Sequence, residues 1–139
     1  MKTQLLMLFS LLFVCHIYAQ PQLEKADAKA NCQMIRESAF LNREPNGRHT
    51  KGYRIVFSGD YSIEYLDGGK YYVKSKIEYI NDCEYTSTVV EVTKPNFHIK
   101  IGDTFRTRIL ETSTETGLIK IQVSINGTEN FIILDREVK

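Results

Sequence analysis

From Tyr53 to the end of the chain, apolar and polar residues alternate with a period of two. Tyr53, Ile55 and Phe57 are spaced by Arg54 and Val56, and Tyr61, Ile63 and Tyr65 by Ser62 and Glu64. Tyr71, Val73, Ser75, Ile77 and Tyr79 share one face, with Tyr72, Lys74, Lys76 and Glu78 on the other. Successive side chains of a strand point to opposite faces, so this period marks sheet with one buried and one wet side. The pattern continues through Cys83, Tyr85, Ser87 and Val89, then Phe97, Ile99 and Ile101, then Phe105, Thr107 and Ile109. Ile119, Ile121, Val123 and Ile125 form the last outbound strand, and Thr128 to Leu134 returns. An earlier strand is expected over Met34 to Leu41, followed by a loop from Asn42 to Gly52 that holds Pro45, Asn46 and Gly47.

Turn chemistry separates these runs. Ser58-Gly59-Asp60, Asp67-Gly68-Gly69, Asn81-Asp82 and Gly102-Asp103 all fall between alternating segments. Asn126-Gly127 is the preferred pair for a two-residue type I′ hairpin. With Thr128 it also matches a glycosylation sequon, for which the plain hairpin turn is the simpler reading. Strands at intervals of about ten to twelve residues, with no helix between them, predict an all-β fold. The expected form is an antiparallel meander curled into a lipocalin-like barrel or half-barrel, with a β-sandwich as the alternative.

The N-terminus follows a different plan. Met1-Lys2-Thr3-Gln4 is followed by the apolar run Leu5 to Val14, broken only by Ser10, and then by Ile17-Tyr18-Ala19 before Gln20-Pro21. A basic start, a short apolar core and a small residue at the cut are the parts of a secretory signal peptide, here residues 1–19 with cleavage between Ala19 and Gln20. The core is about half of the ~20 residues that a membrane-spanning helix needs. Processing before Cys15 is the competing expectation, since Leu12-Phe13-Val14-Cys15 loosely follows a lipobox and would leave a lipid-tethered N-terminus. Residues 20–31 read as a polar spacer or short helix, and residues 32–139 as a single β-rich domain.

The leader changes the remaining composition. Its removal takes away Lys2, Cys15 and His16 and no acidic residue, which leaves equal numbers of basic and acidic side chains. A domain that neutralised phosphates would carry a basic excess, so neither nucleic acid nor an anionic membrane surface is an expected partner. Two cysteines remain, Cys32 and Cys83. In an oxidising compartment they pair most simply with each other; free buried thiols are the alternative.

Few residues point to catalysis. His49 and His98 are far apart, and each reads as a surface side chain. No metal site can be assembled from them and no cofactor is implied. Asp60, Glu64 and Asp67 lie at or beside turns, where acidic residues serve the backbone. No nucleophile elbow or phosphate loop is present in the sequence. The aromatic residues are more suggestive. Tyr53, Phe57, Tyr61, Tyr65, Tyr71, Tyr79, Tyr85, Phe97 and Phe105 are all expected on the inward face, either filling the core or walling a ligand site. The functional expectation is a secreted or periplasmic, non-enzymatic protein that binds a small apolar or amphipathic ligand or an envelope protein. A lipid-anchored interaction module, using a wet face of Lys74, Lys76, Arg106, Arg108 and Lys120, is one alternative. A hydrolase with an unrecognised site is another.

Ile80-Asn81-Asp82-Cys83-Glu84-Tyr85 follows the run Lys74 to Tyr79 and precedes Gly102-Asp103 and a Thr/Arg-rich strand. With the early Cys32, this arrangement resembles a family of small exported flavobacterial (Bacteroidota) proteins of unknown function that carry an Asp-Cys-x-Tyr motif. Tyr79 stands where that family's tryptophan is expected, and Ser38-Ala39-Phe40 replaces its glycine-phenylalanine element. The resemblance implies a Cys32–Cys83 pairing and an exported β fold, and it assigns no catalytic or ligand residue.

Overall fold

The computed structural model describes residues 22–138. The leader, its cut between Ala19 and Gln20, and Cys15 lie outside the described residues. Eight antiparallel strands form a closed barrel in chain order: β1 (Ala39–Arg43), β2 (Arg54–Ser58), β3 (Tyr61–Leu66), β4 (Tyr71–Asn81), β5 (Glu84–Val92), β6 (Thr104–Ser113), β7 (Leu118–Ile125) and β8 (Thr128–Arg136). Each strand pairs with the next, and β8 closes on β1 through Phe40↔Arg136 to Arg43↔Ile133. The fold is the barrel and not the sandwich.

Antiparallel neighbours that lie directly opposite share a face, so each turn fixes the orientation of the strand after it. The turn at Gly59-Asp60 pairs Ser58 with Tyr61 and Phe57 with Ser62. Phe57 points into the core, and Ser62 and Glu64 therefore point inward with it. Tyr61 and Tyr65 are sent to the outer wall, which corrects the inward placement expected for them. Alternation alone misled here because both faces of β3 carry apolar atoms.

Two further expectations need correction. Met34 to Ile35 is not strand: Cys32–Ile35 forms a short 3-10 turn, and β1 begins at Ala39. Phe97, Ile99 and Ile101 are not strand either, because residues 93–103 form the irregular connection from β5 to β6. Pro95 and the positive φ of Asn96 (53°) break the ladder there.

The two ends of the barrel differ. One end, here the base, carries the β2–β3, β4–β5 and β6–β7 turns and is plugged by the 3-10 turn. Met34, Ile35 and Cys32 pack there with Phe40, Phe57, Ile77, Tyr85, Ile109 and Ile119. Phe40 meets Phe57 edge-on at 6.0 Å between ring centroids, and Phe57 meets Tyr85 at 6.2 Å. A disulfide joins Cys32 in the plug to Cys83 in the β4–β5 turn, with Cα atoms 5.1 Å apart. The chain before the plug is strapped over the outside of β6 and β7. The Leu23 N–H donates to Glu111 Oε2 (2.7 Å), and the Asp27 carboxylate accepts from Thr112 Oγ1 (2.6 Å) and Thr114 Oγ1 (2.9 Å). Lys120, expected on a wet face, is buried on this outer wall and donates to Glu111 Oε1 at 3.0 Å.

The other end is the mouth, formed by the β1–β2, β3–β4, β5–β6 and β7–β8 connections. Two of these touch backbone to backbone: the Gly68 N–H donates to the Gly52 carbonyl at 3.0 Å. A Cβ on residue 52 would stand 2.8 Å from the Gly68 nitrogen, so only glycine fits. Elsewhere on the outer wall, Arg106 and Arg108 lie against Glu84, at 2.6 and 3.5 Å. Lys76 and Glu78 are exposed on the same outward face.

Candidate functional site

The mouth half of the barrel is hollow, with a cavity of about 390 Å³. Its cause lies in the inward residues of β3, β4 and β5. Ser62 pairs directly with Ser75, and Ser87 lies on the next strand opposite Ile77. Small side chains on three successive strands leave space that the facing isoleucine-rich wall of β7 and β8 does not fill. That wall presents Ile121, Val123, Ile125 and Ile132, and Phe57 and Phe105 close the sides. Close packing is the rule in protein interiors, so a void of this size bounded by a complete sheet is an exception.

A few polar groups break the apolar lining. Glu64 on β3 and Tyr53, just before β2, face the void together. Both are walled by protein yet only half-buried, because the cavity itself gives access to them. Desolvation pushes the Glu64 carboxyl above the ordinary carboxylate range; the neighbouring Tyr53 hydroxyl pulls the other way. Tyr53 is itself raised well above the usual phenol range, by desolvation first and by the Glu64 charge second. Tyr85 is raised too, mainly by burial, with the Thr107 hydroxyl opposing. His98 and Ile99 reach the cavity from the β5–β6 connection. His98 is exposed, as the sequence suggests, and stands at the rim of the cavity on the connection, which is not a strand.

The nine aromatic candidates separate into groups. Tyr53, Phe57, Tyr85 and Phe105 line the cavity. Tyr79 packs at the base against Tyr85 (5.7 Å), with the Arg36 guanidinium 4.0 Å above its ring. Tyr71 lies at the mouth end of β4, with the Lys70 ammonium 5.1 Å from its ring centre. Phe97 meets His98 at a tilt in the β5–β6 connection, with ring centroids 4.4 Å apart. Tyr61 is outside, under the Lys74 ammonium, and Tyr65 is outside against Tyr72. The expected inward positions of Tyr61 and Tyr65 fail for the register reason given above. Glu64 escapes notice for the same reason: an acidic residue three positions before the turn at Asp67 reads as solvated until the register places it inside.

His49 stays at the surface and contacts Asp135 at 2.9 Å. Among the described residues, no group of three or more His, Cys, Asp or Glu side chains is arranged to hold a metal ion. No described helix is long and apolar enough to cross a membrane. No protein-family model matches the chain, and neither does any curated protein or solved structure. The functional reading therefore rests on the geometry of the lumen.

Proposed function

We propose that this chain is an exported carrier that holds a small apolar or amphipathic molecule in the barrel lumen. The cavity is the observation that carries the reading. Its volume of about 390 Å³ lies within the roughly 300–1,000 Å³ usual for small-molecule sites. Its lining also has the usual character of such sites: an apolar wall with a few polar groups placed to orient a ligand. The leader-like residues 1–19 and the Cys32–Cys83 bond support the export part, since disulfides persist in oxidising compartments.

The test is uptake of an environment-sensitive apolar dye by the purified protein, with native mass spectrometry to count bound molecules. One dye per chain is expected. Ser87→Phe puts a ring into the void beside Phe105, its cross-strand partner, and should abolish uptake while the far-ultraviolet circular dichroism stays unchanged. Failure of the unaltered protein to take up dye, or equal uptake by the filled variant, would sink the reading.

A further inference from the structure

We propose that the lumen selects molecules whose polar end is a protonated amine, received by the Glu64 carboxylate with the Tyr53 hydroxyl beside it. This deepens the carrier reading above and rests on it. Among the described residues, the cavity is lined by one carboxylate, from Glu64, and by no lysine or arginine. A ligand carboxylate would thus enter a space with no fixed cation to meet it and one like charge to repel it. Glu64 takes part in no ion pair among the described residues, in contrast to Glu84, Glu111 and Glu137 on the outer wall. A carboxylate held in apolar surroundings without a counter-ion is costly, and an incoming ammonium group relieves that cost where a hydroxyl relieves only part of it.

The apolar remainder of the ligand has a matching surface. Glu64 and Tyr53 stand on the β2–β3 side, and the wall of Ile121, Val123 and Ile132 lies on β7 and β8. An alkyl or aryl amine can satisfy both at once. Two other titratable side chains face the same space: Tyr85, which stays a neutral phenol, and His98. His98 arrives from the β5–β6 connection, exposed at the rim, with its ring engaged by Phe97.

Octylamine, octanol and octanoate share a chain and differ in the polar end, so titration calorimetry of the three at one pH reads the headgroup alone. Octylamine is expected to bind roughly tenfold tighter than octanol, the difference a charge-assisted hydrogen bond makes, with octanoate weakest. Glu64→Gln should remove the amine preference, so that octylamine and octanol bind about equally, and an unchanged far-ultraviolet circular dichroism spectrum shows that the variant is folded. Tyr53→Phe should weaken the amine by less. Octanoate binding as tightly as octylamine, or an amine preference that survives Glu64→Gln, overturns the proposal. If the apolar dye binds but none of the three does, the headgroup proposal falls alone. If the dye also fails, the carrier reading falls with it.

Discussion

The base and the mouth of this barrel are built from the same strands and solve opposite problems. At the base, the inward positions hold Phe40, Phe57, Ile77, Ile109 and Ile119, and the plug adds Ile35, which is 0 % exposed. Around the cavity, inward positions hold Glu64, Ser62, Ser75 and Ser87 instead, with Ser62 facing Phe57 and Ser87 facing Ile77 where the filled and hollow parts meet. On β4 the step from Ile77 to Ser75 replaces isoleucine by serine, just before the register against β5 shifts between Ser75 and Lys74. Burial that stabilises the barrel is thus concentrated at one end, and the other end is free to carry a void and a half-buried acid. A closed sheet permits this division, because its backbone bonds are satisfied whether or not the interior is full.

The comparison can be broken at several points. The largest effect is expected at the base: replacing both Cys32 and Cys83 by serine should cost about 4 kcal/mol, from the loop entropy returned to the unfolded chain. Urea midpoints of the two proteins measure it, and a loss below about 1 kcal/mol would show that the plug holds without its bond. Ile35→Ala should cost about 3 kcal/mol, the usual range for a fully buried aliphatic side chain. Ser87→Phe at the mouth should cost far less in the same assay; a comparable loss there would erase the contrast between the ends.

The smallest effect is a dependence on pH. The folded Glu64 carboxyl is raised, mainly by desolvation. At low pH the folded and unfolded chains are both protonated there, and Glu64 contributes no pH dependence. As pH rises through the ordinary carboxylate range, from about 4 upward, the unfolded chain ionises first and stability falls until the folded carboxyl ionises as well. Glu64→Gln should flatten that decline. The outer wall should show the opposite sign, because Asp27, held low by the Thr112 hydroxyl, and Glu84, held low by Arg106, lose their contribution as pH falls. Denaturation midpoints from pH 2 to 8 for the two glutamine variants, Glu64→Gln and Glu84→Gln, separate the two trends, with the Glu84 effect confined to the acid side of the ordinary carboxylate range and the Glu64 effect above it.

Much of the barrel was legible in the sequence, and the reason is local. Asn126-Gly127 sets the register of β7 against β8 through Ile125↔Thr128, so Ile121, Val123 and Ile125 fall inward as alternation predicts. The inward faces of β2 and β4 followed equally well from Ile55, Phe57, Val73 and Ile77. The strand at Phe97 to Ile101 was misread because alternation over five residues resembles strand even where Pro95 and Asn96 have already ended the ladder. The orientation of β3 was misread because Tyr61, Ile63 and Tyr65 are the larger residues. Pairing Phe57 with Ser62 across the Gly59-Asp60 turn would have corrected it. The cavity itself is harder to read, since it depends on Ser75 facing Ser62 on one neighbouring strand while Ser87 faces Ile77 from the other. Only the register of all three reveals that.

The seam between β1 and β2 is the narrowest in the ring, with only Ala39↔Val56 and Phe40↔Ile55 in register. β1 is also one of the shortest strands, and it follows directly on the plug that the disulfide anchors. A closed barrel has no strand edge to offer another chain. Release of β1 would create two, along β2 and β8, each with a row of unpaired backbone groups. Chains pair with copies of themselves through such edges. The Cys32–Cys83 bond therefore guards against aggregation as well as unfolding, and a reduced sample should associate before it loses most of its strand.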